Sequence, residues 1–144
     1  MKKLAALLAL FFTVLVVATA GDAVAELQKF QGNWTILSLI EKGKAVPAEE
    51  LAILELHIEK DVLTVKEKGE TVVQYNIKLD PTKTPRAIDF THTIGENKGK
   101  TEFGIYAFDG KQLKMVLDEE RKGRPTTFDG KETANYSVMT LKQK

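Results

Sequence analysis

The strictest constraint in this sequence is a repeated two-residue period. Leu54, Leu56 and Ile58 alternate with Glu55, His57 and Glu59. Leu63 and Val65 alternate with Thr64 and Lys66, and Val73, Tyr75, Ile77 and Leu79 with Gln74, Asn76 and Lys78. Successive side chains of a strand point to opposite faces, so each run presents one apolar and one polar face. That pattern belongs to half-buried antiparallel strands; an amphipathic helix repeats its apolar positions every three or four residues instead. Ile88, Phe90 and His92 continue the period against Asp89, Thr91 and Thr93. Trp34–Glu41, Thr101–Phe108, Gln112–Asp118 and Tyr136–Lys142 supply four further runs of β-forming composition.

The links between these runs are mostly short. A turn falls near Lys60-Asp61 and another at Gly69, and Asp80-Pro81 and Thr84-Pro85 bracket a loop. Gly95–Lys100 forms a polar turn, and Asp109-Gly110 predicts a type I′ hairpin, in which both central residues take positive φ. Pro47-Ala48-Glu49-Glu50-Leu51 predicts a short helix after the first strand, with Pro early and acids in the first turn. The longest connection, Glu119–Ala134, precedes the last strand. Eight strands joined this way predict an all-β, up-and-down antiparallel barrel, because sequential strands with short links pair with each other. Closure removes the exposed edges that invite aggregation, and a monomer is expected. An open sandwich of the same strands has the same periodicity.

The first 25 residues are of another kind. Met1-Lys2-Lys3 is a short positive region and Leu4–Val17 an apolar run. Ala18-Thr19-Ala20 and Ala23-Val24-Ala25 are then two small-residue sites of the type signal peptidase accepts. Residues 1–25 therefore read as a signal peptide cleaved after Ala20 or Ala25, since the run is shorter than the about 20 apolar residues that span a bilayer. Residues 26–144 read as one secreted domain, periplasmic or extracellular, with no membrane attachment in the mature form. Loss of Lys2 and Lys3 takes the 21 Lys and Arg to 19 against 20 Asp and Glu. The charge is balanced, and a nucleic-acid partner is not expected. No cysteine is present, so the fold relies on its core; a domain of this size buries roughly two-thirds of its unfolded surface.

Gly32-Asn33-Trp34 stands at the entry to the first strand. It is followed in order by Ile88-Asp89-Phe90-Thr91, Asn97-Lys98-Gly99-Lys100-Thr101, Gly104-Ile105-Tyr106, Asp109-Gly110 and Arg124-Pro125-Thr126-Thr127-Phe128. With Leu27–Gln31 ahead of them, these stretches resemble a lipocalin-like family of uncharacterised exported domains abundant in planctomycetes. The resemblance covers nearly all of the mature chain and implies a calycin-type barrel with a Gly-x-Trp start. It carries no ligand or reaction, and the disulfide usual in lipocalins is absent. It also implies structural roles for Gly32, Trp34 and Arg124. Trp34 is expected at the closed end, where a lipocalin-type arrangement stacks an arginine over the indole; Arg124 is the candidate partner. Close backbone approach at Gly32 is expected to leave room for the indole.

Tyr75, Phe90, Tyr106, Phe108, Met115 and Leu117 fall on the faces expected to point inward. They either fill the barrel or line a pocket for one small ligand. Tyr75, Phe90, Tyr106 and Met115 are the candidate pocket residues. No inward strand position carries Lys or Arg, so a charged ligand is not expected. His57 and His92, the two histidines, lie in different strands, whereas a zinc site gathers three or four ligands; no metal and no cofactor are expected. Asp118-Glu119-Glu120 beside Arg121-Lys122 reads as a self-neutralising solvated cluster. No hydrolase triad motif or phosphate-cradling loop occurs, so no enzymatic activity is expected. The first expectation is small-molecule binding in the barrel, of an apolar or amphipathic compound. The alternative is a protein-interaction or inhibitory domain that works through its surface around a filled barrel.

Overall fold

The computed structural model describes residues 20–129 and 136–144. Up to residue 19, the expected leader lies outside the described residues. The element order is α1 (Ala20–Gln28), β1 (Gly32–Glu41), β2 (Lys44–Ala45), α2 (Ala48–Ala52), β3 (Leu54–Glu59) and β4 (Val62–Glu67). Then come β5 (Glu70–Asp80), β6 (Arg86–His92), β7 (Thr101–Asp109), β8 (Gln112–Asp118) and β9 (Tyr136–Gln143). From β3 to β9 each strand pairs antiparallel with the next, and β1 closes the ring by pairing with both β3 and β9. The result is a closed eight-stranded antiparallel barrel, with β2 a two-residue spur on β1 and α2 the short helix after the first strand.

The local sequence explains the departures from strict alternation. In β1 the apolar set changes phase: Trp34 and Ile36 point inward, and so does Leu39. The register of β1 against β9 shifts between Ile36 and Ser38, a bulge that adds one residue and leaves Leu37 exposed. A second shift between Val65 and Lys66 makes Val72 the extra residue in β5, and it too is exposed. Lys42-Gly43 and Lys68-Gly69 have positive φ at both central residues (48° and 77°, 51° and 84°), as a type I′ hairpin requires.

The turn expected at Asp109-Gly110 is displaced by one residue. Asp109 pairs with Gln112, so Gly110 and Lys111 are central, and of the two only Gly110 has positive φ, at 58°. One positive φ with Gly first is the pattern of a type II′ turn. Gly32 also departs from expectation. A Cβ there would meet nothing within 4 Å, and what requires glycine is a φ of 109°.

The interior carries one long apolar core, from Phe30 and Trp34 at the α1 end to Leu117 at the other. A second, smaller cluster sits outside the barrel wall. Ile105, Val116 and Val138 are buried there beneath Phe128, Ile40 and Tyr136. Within residues 119–129, Arg124 and Phe128 strap this face, which is why β7 and β8 are buried on both sides where alternation alone predicts one.

Candidate functional site

The barrel interior is divided along its axis. At one end α1 and the residues after it form a plug. Phe30, fully buried, meets the rings of Tyr106 and Phe108 edge-on, each at 5.1 Å. Trp34 Nε1 donates to Phe30 O at 2.7 Å, which ties the indole to the plug. Tyr106 Oη donates to Glu26 Oε1 at 3.0 Å, and Lys29 and Arg86 pair with the same carboxylate at 2.8 and 3.3 Å. Burial by itself would raise the Glu26 carboxyl. The hydrogen bonds from Lys29 and Tyr106 and the charges of Lys29 and Arg86 outweigh burial and hold it below its ordinary range. Burial and the Glu26 charge push the Tyr106 phenol up.

The other half of the barrel is hollow. A cavity of about 200 Å³ lies among Leu56, Leu63, Tyr75, Phe90, Met115 and Met139, with Glu41, Val72, Glu102 and Glu119 also on its wall. Exposed Val72 and Glu41 on that wall mark the end at which it opens to solvent. Tyr75 packs its ring edge-on to Phe90 at 5.4 Å and against His92 at 4.5 Å. His92 Nε2 lies 2.7 Å from Glu102 Oε1, and the two side chains are 12% and 7% exposed, so the pair is taken out of water together. Burial pushes the Glu102 carboxyl up and the nearby Glu119 charge adds to the rise; the His92 hydrogen bond and charge oppose it. Glu119 accepts a hydrogen bond from Ser137 Oγ. Burial, then the charges of Glu102, Glu119 and Glu41, push the Tyr75 phenol up.

Three of the four candidate pocket residues, Tyr75, Phe90 and Met115, line the cavity together, and Leu117 joins them. Tyr106 does not. It points inward as its period requires, but it lies beneath Phe30 in the plugged half with its hydroxyl spent on Glu26. Phe108 belongs to the same plug.

Arg124 is not stacked on Trp34. Its guanidinium lies 5.3 Å from the centroid of the Phe103 ring, on the outside of the wall. It donates to Ile88 O at 3.1 Å, to Gly104 O at 2.8 Å and to Asp89 Oδ1 at 2.6 Å. The strap, not the closed end, is what it fastens. Gly32 and Trp34 do sit together at the plugged end of β1.

Among the described residues no Lys or Arg lines the cavity, but three carboxylates do, and inward Glu102 is a charge that the expectation of an uncharged ligand left out. The solvated acidic cluster resolves into separate parts. Asp118 is 1% exposed and accepts the N–H groups of Glu120 and Gly123, Glu119 turns to the cavity, and only Glu120 and Lys122 form a surface pair. Glu102 was legible in principle: it shares parity with Tyr106 and so faces inward. Glu119 lies outside any periodic run and gave no signal. His57 stays on the outer face, its Nδ1 2.8 Å from Asn33 Oδ1.

Comparison of the chain with protein-family models, with curated proteins and with solved structures finds no match.

Proposed function

We propose that this chain is an exported, non-enzymatic, lipocalin-like binding domain that holds one small apolar or amphipathic molecule in the open half of its barrel. The observation that carries this reading is the asymmetry of the interior. One half is sealed by α1, Phe30 and Trp34, while the other keeps an apolar cavity of about 200 Å³ with polar groups gathered at its mouth. Small-molecule sites share that design, apolar walls with a few placed polar groups. The size fits a single ring or short chain, since an apolar cavity of about 150 Å³ already admits benzene. Export rests on the leader-like residues 1–25; both cleavage sites precede Glu26, so either mature form retains Glu26, Phe30 and Trp34, although cleavage after Ala25 removes the first six residues of α1.

Native mass spectrometry of mature protein purified from its own host tests the reading. A small molecule released on collisional activation is expected. No bound species, together with no NMR response of Tyr75, Phe90 and Met115 to toluene or benzyl alcohol, overturns it. A surface-mediated interaction would then remain, through the exposed Ile53, Val72 and Ile94 at the same end of the barrel.

A further inference from the structure

We propose that the polar end of the ligand is a cation: an amine-bearing small molecule whose ammonium is held by Glu102, with Glu41 and Glu119, at the mouth of the barrel. This rests on the small-molecule reading above and adds the sign of the ligand's charge.

The walls of the cavity are apolar apart from a few side chains, and the charged ones among the described residues are all acidic: Glu41 at the end of β1, Glu102 at the start of β7 and Glu119 just after β8. These three come from separate parts of the chain and line the same cavity as Tyr75. Glu102 is the informative member. Its side chain is more than nine-tenths buried, and His92 engages Oε1. Among the described residues nothing bonds Oε2, and no fully buried side-chain nitrogen or oxygen lacks a partner, so Oε2 is open to the cavity.

A carboxylate held out of water is unfavourable unless its oxygens are paired. His92 satisfies one oxygen of Glu102 and leaves the other without a hydrogen-bond partner among the described residues. An ammonium group brings three N–H donors and a full positive charge. It can engage Oε2 while its remaining donors reach toward the rim carboxylates, and the ring or chain behind it fills the apolar space. Tyr75 Oη, which has no hydrogen-bond partner among the described residues, adds an acceptor on the same wall. Arg121, on the connection after β8, acts on Glu102 electrostatically and is not among the described residues that line the cavity. An anionic head group meets three like charges there, and a neutral one leaves the field of those charges unanswered.

The test uses mature protein, refolded from denaturant to strip resident molecules, and three probes of one size: benzylamine, benzyl alcohol and benzoate. Each is titrated at neutral pH by two-dimensional NMR. Benzylamine is expected to bind at least roughly tenfold more tightly than benzyl alcohol, with benzoate giving no saturable shift. The response should centre on Tyr75, Phe90 and Met115. Glu102→Gln should bring the amine's advantage over benzyl alcohol below about threefold. Because Glu102 is buried, the double variant Glu41→Gln/Glu119→Gln at the rim provides an independent arm with the same expectation. Benzyl alcohol binding as tightly as benzylamine overturns the cationic head and leaves the apolar pocket standing. An amine advantage undiminished in both variants overturns the assignment to these carboxylates. Failure of all three probes overturns this inference, and together with no bound species in native mass spectrometry it overturns the proposed function as well.

Discussion

Tyr106 Oη and Glu26 Oε1, 80 residues apart in sequence, are 3.0 Å apart in the plug. That contact joins α1 to the barrel wall, and it has a pH signature. The folded Glu26 carboxyl titrates below its ordinary value of 4.5. Its contribution to stability is therefore fully present above about pH 4.5 and is lost as pH falls through the lowered folded value. Glu26→Gln should flatten that part of the acid-unfolding curve, with the wild-type advantage shrinking below about pH 4.5. Thermal unfolding at a series of pH values from 3 to 7 checks it; an unchanged advantage at pH 3 counts against the assignment.

Trp34 anchors the closed end. It is 1% exposed and donates to Phe30 O. Trp34→Ala should cost about 3–5 kcal/mol, the usual loss for a large buried aromatic. Urea unfolding measures it. Full stability with selectively lost ligand binding would show a contact role in place of an anchoring one.

Gly104 is set by space. A Cβ placed on it would lie 2.7 Å from Val116 O, a backbone atom of the neighbouring strand, with Ile88 and Phe90 each at 3.4 Å. Gly104→Ala should lose about 1–3 kcal/mol to overpacking. Gly123→Ala, where a Cβ meets nothing within 4 Å, should stay within about 0.5 kcal/mol of wild type. Equal stabilities for the two variants would refute the steric account.

Arg124 pins the strap through two backbone carbonyls and Asp89. Arg124→Met keeps much of the side-chain length and removes these bonds, at an expected cost of about 1–3 kcal/mol. Hydrogen exchange should speed up across residues 119–129, while Trp34 fluorescence stays unchanged because the guanidinium lies over Phe103 and not over the indole. A shifted Trp34 emission with unaltered exchange would return Arg124 to the closed end.

Much of the fold was legible because it depends on local rules. Period two placed Tyr75, Phe90, Met115 and Leu117 on the inner face, and all four line the cavity. Pro47 and the acids behind it marked α2. The hairpin after β7 slipped by one residue because a glycine signal fixes where positive φ is tolerated, and the ladder decides whether Asp109 is its last paired residue or the first of the turn.

By itself the sequence determined which side chains face inward, since alternation along a strand follows from backbone geometry alone. Tertiary structure decided how far along the barrel axis each one lies. That height depends on the stagger between neighbouring strands and on what fills the end, neither of which leaves a local pattern. So Tyr75 and Tyr106, alike in sequence as inward tyrosines, part company: one lines the cavity beside Glu102, and the other lies beneath Phe30. The same holds for charge. A glutamate at an inward position reads as a violation until His92, ten residues away and on the neighbouring strand, is brought to 2.7 Å. A charged group stays buried only where folding has already assembled its partner.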